Sequence, residues 1–146
     1  FCVGEAVFDD ACHFTGVEQR PRFVVAARAL ARSFEVEQRV SFVEGGLSEV
    51  SALRPDAYYL YNPFAENLVG PKQKLDEEAE LSLERYVRDI AAVEDLFGAA
   101  PVGTYVLTYN GFGGQFVPDY AQLRVDREMP YELALWHKVR PLGPAK

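Results

Sequence analysis

The chain has 146 residues, 49% of them hydrophobic and 25% charged, enough to bury one sizeable core and too few for two ordinary domains. Its 22 acidic residues against 15 basic ones leave a net charge of -7, which repels a phosphate backbone at long range and gives no broad electrostatic footprint for nucleic acid. No apolar run approaches the roughly 20 residues that span a bilayer, and no charged-then-apolar leader opens the chain, so the expectation is a single cytoplasmic domain over residues 1–146 with no membrane partner.

In chain order, residues 13–17 (HFTGV) are short, partly β-branched and closed by Glu18, and Pro21 then sits where a first helical turn tolerates a missing amide. This reads as strand, turn, helix. Phe23, Ala26, Ala27, Leu30 and Phe34 recur at the three-and-four spacing of one helical stripe. Arg28 and Arg32 lie off it, and the cluster Arg20, Arg22, Arg28 and Arg32 is expected on a solvated helix face. Residues 39–43 (RVSFV) make a compact strand ended by Gly45 and Gly46, a pair that reaches turn conformations without steric cost. After a short polar stretch, residues 56–61 (DAYYLY) give a third strand whose continuous apolarity predicts cover on both faces.

Residues 70–80 are polar and read as a surface connection into a helix marked by Leu83, Tyr86, Val87, Ile90, Val93 and Phe97, with Gly98 and Pro101 as stop signals. Residues 103–109 (GTYVLTY) are the next strand, and the loop NGFGG follows. Residues 120–125 and 132–139 then form an antiparallel pair about a turn containing Pro130. The final residues, PLGPAK, are a tail. Strands alternating with helices imply an α/β fold with a mostly parallel sheet and helices on both faces, and the closing hairpin implies one antiparallel strand at an edge. Cys2 and Cys12 are too few for a disulfide framework and are expected as buried free thiols. His13 and His137 lack ligand spacing, so each is expected as a strand residue and no metal site is expected.

Ligands of open α/β sheets sit outside the carboxyl ends of the strands, and three places qualify. Glu18 ends a strand, where a carboxylate accepts both hydroxyl protons of a ribose; the plain alternative is an acid stabilised by a following helix N-terminus. Glu44-Gly45-Gly46-Leu47 follows the second strand, with an ordinary turn as its alternative. Tyr61-Asn62-Pro63-Phe64 follows the third; here the alternative is an Asn-Pro turn with Phe64 packed inward.

Taken together, GVEQRP, a helix containing AAR, RVSFVEG, YYLYNPF followed by Glu66 and Asn67, the loop NGFGG and the closing LALWHKV resemble a bacterial group of class I S-adenosylmethionine-dependent methyltransferases over nearly all of the chain. The order of elements, ending in two strands after the last long helix, is similar to that family's Rossmann-like sheet. It differs from the dinucleotide dehydrogenase pattern. The resemblance implies S-adenosyl-L-methionine as cofactor, held by Glu18, Gln19, Gly45, Gly46, Leu47 and Asn62, with Gly46 standing where the family often has an adenine-reading Asp or Asn. YNPF resembles the [DN]-P-P-[YF] signature of enzymes acting on planar nitrogens, with one of the two prolines. On that likeness Asn62 accepts a hydrogen bond from the target amine, and Tyr61 and Phe64 help position the substrate. The implied activity is methyl transfer to a small-molecule or protein acceptor, and the alternative is a non-catalytic binding or assembly module of the same fold. The family's first strand and glycine-rich loop would precede Phe1. A parallel sheet without its middle strand leaves backbone groups unpaired at about 1 kcal/mol or more each, so that strand is expected from upstream sequence or a neighbouring chain.

Overall fold

The structure, a computed structural model, describes residues 1–68, 76, 79, 81–128 and 130–140. It falls into two compact units, Phe1–Leu53 and Arg54–Lys146.

In the first unit, strands β1 (Phe14–Glu18) and β2 (Val40–Glu44) pair in parallel from Phe14↔Val40 to Glu18↔Glu44. Helices α1 (Cys2–Phe8) and α2 (Pro21–Ser33) pack on them around Val3, Ala6, Ala31, Val36 and Val40. Arg20 is the extended N-cap of α2 and Pro21 opens its first turn, as its fixed φ favours. The far end closes when the Val36 amide donates to the Ala31 carbonyl at 3.0 Å, with Glu35 at φ 55 in the left-handed slot that glycine usually fills. Val36 and Ala31, both buried, supply the apolar contact that accompanies this closure.

Four expectations for this unit change. The buried face of α2 runs through Val24 and Ala31, with Ala27 half-buried, whereas Leu30 and Phe34 of the expected stripe are 49% and 55% exposed. Both sets have helical spacing, and the tertiary partner selects between them. The arginines are not uniformly solvated: Arg20 is buried, and Arg28 donates from Nη2 to the Phe42 carbonyl of β2 at 2.7 Å. The stretch after Gly46 is a helix, α3 (Leu47–Leu53), and the opening residues are the helix α1, for which no element was expected. Both cysteines are free; Cys2 is half-buried, its thiol pushed up chiefly by burial, while Cys12 is exposed.

The second unit holds a four-stranded sheet in the order β3-β4-β6-β5, from β3 (Ala57–Tyr61), β4 (Tyr105–Tyr109), β5 (Tyr120–Glu128) and β6 (Tyr131–Lys138). β3 and β4 are parallel, and β6 runs antiparallel to both of its neighbours. The reversed strand therefore lies inside the sheet and β5 takes the edge, a correction to the expected antiparallel edge strand. A bulge at Leu123 shifts the β5–β6 register between Gln122 and Arg124.

Helix α4 (Leu83–Ala99) starts at Ser82, whose hydroxyl accepts from the Arg85 amide at 3.1 Å. It ends before Pro101, with Ala100 extended as a residue before proline must be. Phe97 is its anchor: 1% exposed, it meets Tyr58, Phe112, Phe116 and Tyr120 at ring-centroid separations of 5.3 to 5.9 Å. Tyr58 and Tyr120, with the buried Val106, Thr108 and Ala134, lie on one face of the sheet, and Phe97 of α4 and Phe112 and Phe116 of the loop between β4 and β5 pack over it. Val93 and Phe97 of the expected stripe are buried, whereas Leu83 and Val87 are exposed. Lys138 is also buried, and its Nζ donates to the Phe97 and Gly98 carbonyls at 2.7 Å each. An α-helix leaves its last carbonyls unpaired and carries partial negative charge there, so this cation caps α4 from a neighbouring strand.

β3 is not covered on both faces: Tyr58 is buried but Tyr61 is 64% exposed, and among the described residues β3 pairs only with β4. The expected surface connection at residues 70–80 lies outside the described residues except for Asp76 and Ala79, as does the PLGPAK tail.

Candidate functional site

Each parallel pair ends at a rim of the kind where open α/β sheets bind ligands. In the first unit that rim is built by the turns after β1 and β2, joined where the Gly45 amide donates to the Glu18 carbonyl at 3.0 Å. Glu18, Gln19, Gly45, Gly46 and Leu47 therefore lie on one rim of the first unit. The Glu18 carboxylate is half-buried, and its Oε1 accepts from the Arg20 amide at 2.9 Å. A carboxylate offers about four acceptor sites, so Oε2 and the remaining lone pair of Oε1 are left for a vicinal diol. The group fits a ribose in that respect.

The second turn is tighter than expected. Glu49 folds back so that its Oε2 accepts from the Gly46 amide and the Ser48 hydroxyl, both at 2.7 Å. The Ser48 hydroxyl first, then the Gly46 amide and its own amide, hold the Glu49 carboxyl below the usual range. A Cβ on Gly45, which has φ 154, would lie 2.5 Å from that carboxylate, so glycine is needed there for close approach. The backbone amide of Gly46 is thus already engaged.

The second unit supplies Tyr61, Asn62 and Phe64. Phe64 is 8% exposed, which is the inward-packed alternative and leaves no open ring face. Asn62 is exposed and holds φ 43, a left-handed conformation that asparagine tolerates better than most residues. Its amide donates to the Tyr109 carbonyl at 3.0 Å. The Asn62 side chain makes no hydrogen bond with any described residue.

A second asparagine occupies the equivalent place one strand over. Tyr61 pairs with Tyr109, so Asn62 and Asn110 both follow strand-final tyrosines, and Asn110 is also left-handed at φ 58. Asn110 has structural work: its amide donates to the Glu132 carbonyl at 2.7 Å, and its Oδ1 accepts the Glu132 amide at 2.9 Å. Of two residues in matching positions, one has its side-chain oxygen tied to the neighbouring strand and the other does not.

The tyrosines before them form a ladder. Tyr61 stacks on Tyr109 with centroids 4.7 Å apart and planes 14° from parallel, and Tyr109 lies 5.4 Å from Tyr131 at 34°. Burial first, then the neighbouring Tyr131, Tyr61 and Tyr59, raise the Tyr109 phenol above its usual value. Tyr109, Asn110 and Tyr131 were not singled out by sequence reasoning. The dipeptide Tyr-Asn at the end of two parallel strands was the available signal, visible as YLYN and LTYN.

The loop at residues 110–114 packs onto α4. Glu94 Oε1 accepts the Gln115 amide at 2.8 Å, and a Cβ on Gly113 (φ 87) would meet the Tyr86 hydroxyl at 2.3 Å. No helix among the described residues is long and apolar enough to cross a membrane.

No protein-family model matches the chain, and no curated protein sequence matches it. Solved structures do. An RNA methyltransferase from Salinibacter ruber in complex with S-adenosyl-L-homocysteine is similar at TM-score 0.64 and 18% identity, over 99% of this chain and 76% of that one. A candidate methyltransferase, yhhF, from Escherichia coli is similar at TM-score 0.57 and 12% identity, over 88% of this chain and 65% of that one. A candidate methylase from Haemophilus influenzae is similar at TM-score 0.54 and 12% identity, over 87% of this chain and 73% of that one. The fold is that of class I methyltransferases: mixed α/β, Rossmann-like, with parallel strands and an antiparallel closing pair. The chain spans 65% to 76% of the length of these three structures.

Proposed function

We propose that this chain forms the larger part of an S-adenosylmethionine-dependent methyltransferase domain acting on a nitrogen of a small-molecule or protein acceptor. The observation that carries this reading is the side chain of Asn62, exposed at a strand end with no hydrogen bond to a described residue, whereas the Oδ1 of its counterpart Asn110 accepts the Glu132 amide. Three things support it further: the class I fold, the S-adenosyl-L-homocysteine in the Salinibacter ruber structure, and the free acceptor sites of Glu18. One of the similar proteins is described as acting on RNA, but the net charge of -7 favours an acceptor without a polyanionic backbone.

S-adenosylmethionine, when bound, would supply an electrophilic sulfonium methyl for transfer to the acceptor nitrogen, with S-adenosylhomocysteine as the leaving group. The protein's part is placement rather than strong acid or base chemistry. Glu18 accepts the ribose hydroxyls. The Asn62 Oδ1 accepts a hydrogen bond from the acceptor N–H and so aims the nitrogen lone pair, and the proton released on methylation goes to solvent. Pro63 has no amide to compete for that oxygen.

The test is calorimetric titration of the full-length protein with S-adenosylhomocysteine. Glu18→Ala is expected to weaken binding at least ten-fold, and Glu18→Gln, which keeps an acceptor for the Arg20 amide, separates loss of the diol contact from loss of the turn. Asn62→Gly, which suits the left-handed backbone, is expected to abolish methyl transfer while binding is retained. A second reading, a non-catalytic binding or assembly module, is favoured by the engagement of the Gly46 amide with Glu49. Absence of saturable binding by the full-length protein would select that reading.

A further inference from the structure

The outer surface of α1 and α2 in the first unit carries two apolar features that match each other. The first is a groove of about 330 Å³, lined on its open sides by Phe1, Val7, Leu30 and Phe34, each about half exposed, and at its base by the half-buried Cys2 and Phe42. No charged side chain lines it. The second is Phe8, the last residue of α1 and the next residue after Val7, whose side chain is 90% exposed. Both are firmly mounted. Val3, Ala6 and Ala31 anchor the two helices in the core of the unit, and the groove base rests on Gly16, where a Cβ would meet the Phe42 ring at 2.9 Å and the Cys2 Sγ at 3.5 Å. The Asp9 amide donates to the Glu5 carbonyl at 2.9 Å and closes the helix end that presents Phe8.

The chemistry of the groove selects its occupant. An ionic group placed there would lose its water without gaining a partner, whereas an aromatic ring loses nothing by leaving water. The same surface offers such a ring in Phe8, which is too exposed to be filling the groove of its own chain. Projection and groove also lie side by side. A two-fold axis between two copies therefore satisfies both projections and both grooves at once and closes the assembly at a pair. Size sets the strength of that pair. The exposed parts of Phe1, Val7, Phe8, Leu30 and Phe34 amount to on the order of 500 Å² per copy, at about 150–250 Å² for a whole large side chain. Two copies would then bury on the order of 1,000 Å², at the lower limit for a specific contact, which means a reversible dimer and not an obligate one.

From this complementarity we infer that the α1–α2 surface is a homodimer interface, in which Phe8 of each copy seats in the apolar groove of the other. The inference is independent of the methyl-transfer reading and of the second unit.

Sedimentation velocity of the full-length protein over a range of concentrations tests it, with Phe8→Ser altering the projection and Leu30→Glu the groove. Both side chains are about half exposed or more, so neither change empties the core, and thermal melts of the variants check that they fold. A monomer–dimer equilibrium is expected, weakened roughly ten-fold or more by either substitution. The double variant should be little weaker than either single one, because both remove the same contact. Phe8→Trp keeps an aromatic projection and should shift the equilibrium less than about three-fold. With a photoreactive benzoyl analogue of phenylalanine at position 8, irradiation should join two chains, the linked peptide containing Leu30 and Phe34. A monomer at every concentration would overturn the inference. A dimer indifferent to both substitutions would do the same, as would one that dissociates steeply with added salt, since an uncharged contact has no ionic attraction to screen. A cross-link confined to one chain would assign the groove to another segment of the same polypeptide and also overturn it.

Discussion

Replacing Lys138 by Met keeps most of the aliphatic stem and removes one buried cation, and its cost can be assembled from the contacts. The Gly98 carbonyl loses its donor at 2.7 Å, but it belongs to an exposed residue that water can reach, at about 0.5–1 kcal/mol. The Phe97 carbonyl loses a 2.7 Å bond but keeps the Tyr120 hydroxyl at 3.3 Å, so its loss is nearer 1 kcal/mol. Asp119 loses a cation at 3.4 Å while its Oδ1 is already buried without a partner; breaking such a pair costs about 3–5 kcal/mol. Against this stands the desolvation of the ammonium, several kcal/mol that Met does not suffer. A net destabilisation of about 3 kcal/mol is expected. In urea unfolding followed by circular dichroism, with a slope near 2 kcal/mol per molar, the midpoint should fall by about 1.5 M at unchanged slope. Adding Asp119→Asn to Lys138→Met should return part of the loss, since the stranded carboxylate is then neutral. A midpoint within about 0.3 M of the parent, or a double variant no more stable than the single, would show that Lys138 does not cap α4 in solution.

Two further outcomes follow from the same coordinates. Burial, with the Asp119 charge and Tyr58 beside it, pushes the Tyr120 phenol up to about 12, against about 10 in the unfolded chain. The unfolded chain therefore holds fewer protons in that window, and the contribution of Tyr120 is fully present below pH ~10 and lost as the pH rises towards ~12; chemical unfolding at stepped pH should show a steeper fall for the parent than for Tyr120→Phe. Glu35→Gly should raise stability by about 0.5–1 kcal/mol, because glycine relieves the φ 55 strain at the end of α2 at the smaller cost of a freer unfolded chain. A thermal melt that moves down would count against the helix-closing geometry.

The strands and the turns that end them were legible because they depend on short-range pattern, whereas the place of the reversed strand inside the sheet was not. RVSFV, YYLYN and GTYVLTY each carry more β-branched or aromatic residues than a helix of that length would favour, and the glycines and asparagines that stop them are where the turns occur. Helix faces were less legible. In α2, Val24, Ala27 and Ala31 are as well spaced as Phe23, Ala26, Leu30 and Phe34, and only the partner surface decides. The seven-residue α3 was missed because its sequence, LSEVSAL, is polar at three of its first five positions, and its start is held by Glu49 reaching back to Gly46 and Ser48. At the rim, the burial of Phe64 and the freedom of Asn62 are facts about neighbours. No single-position reading separates Asn62 from Asn110; the difference is that the Glu132 amide is within reach of one of them.

The irregularity at Leu123 has a consequence for solubility. With Arg124, Asp126, Arg127 and Glu128 around it, the kinked β5 border offers no straight, uncharged template on which another molecule's backbone can lie.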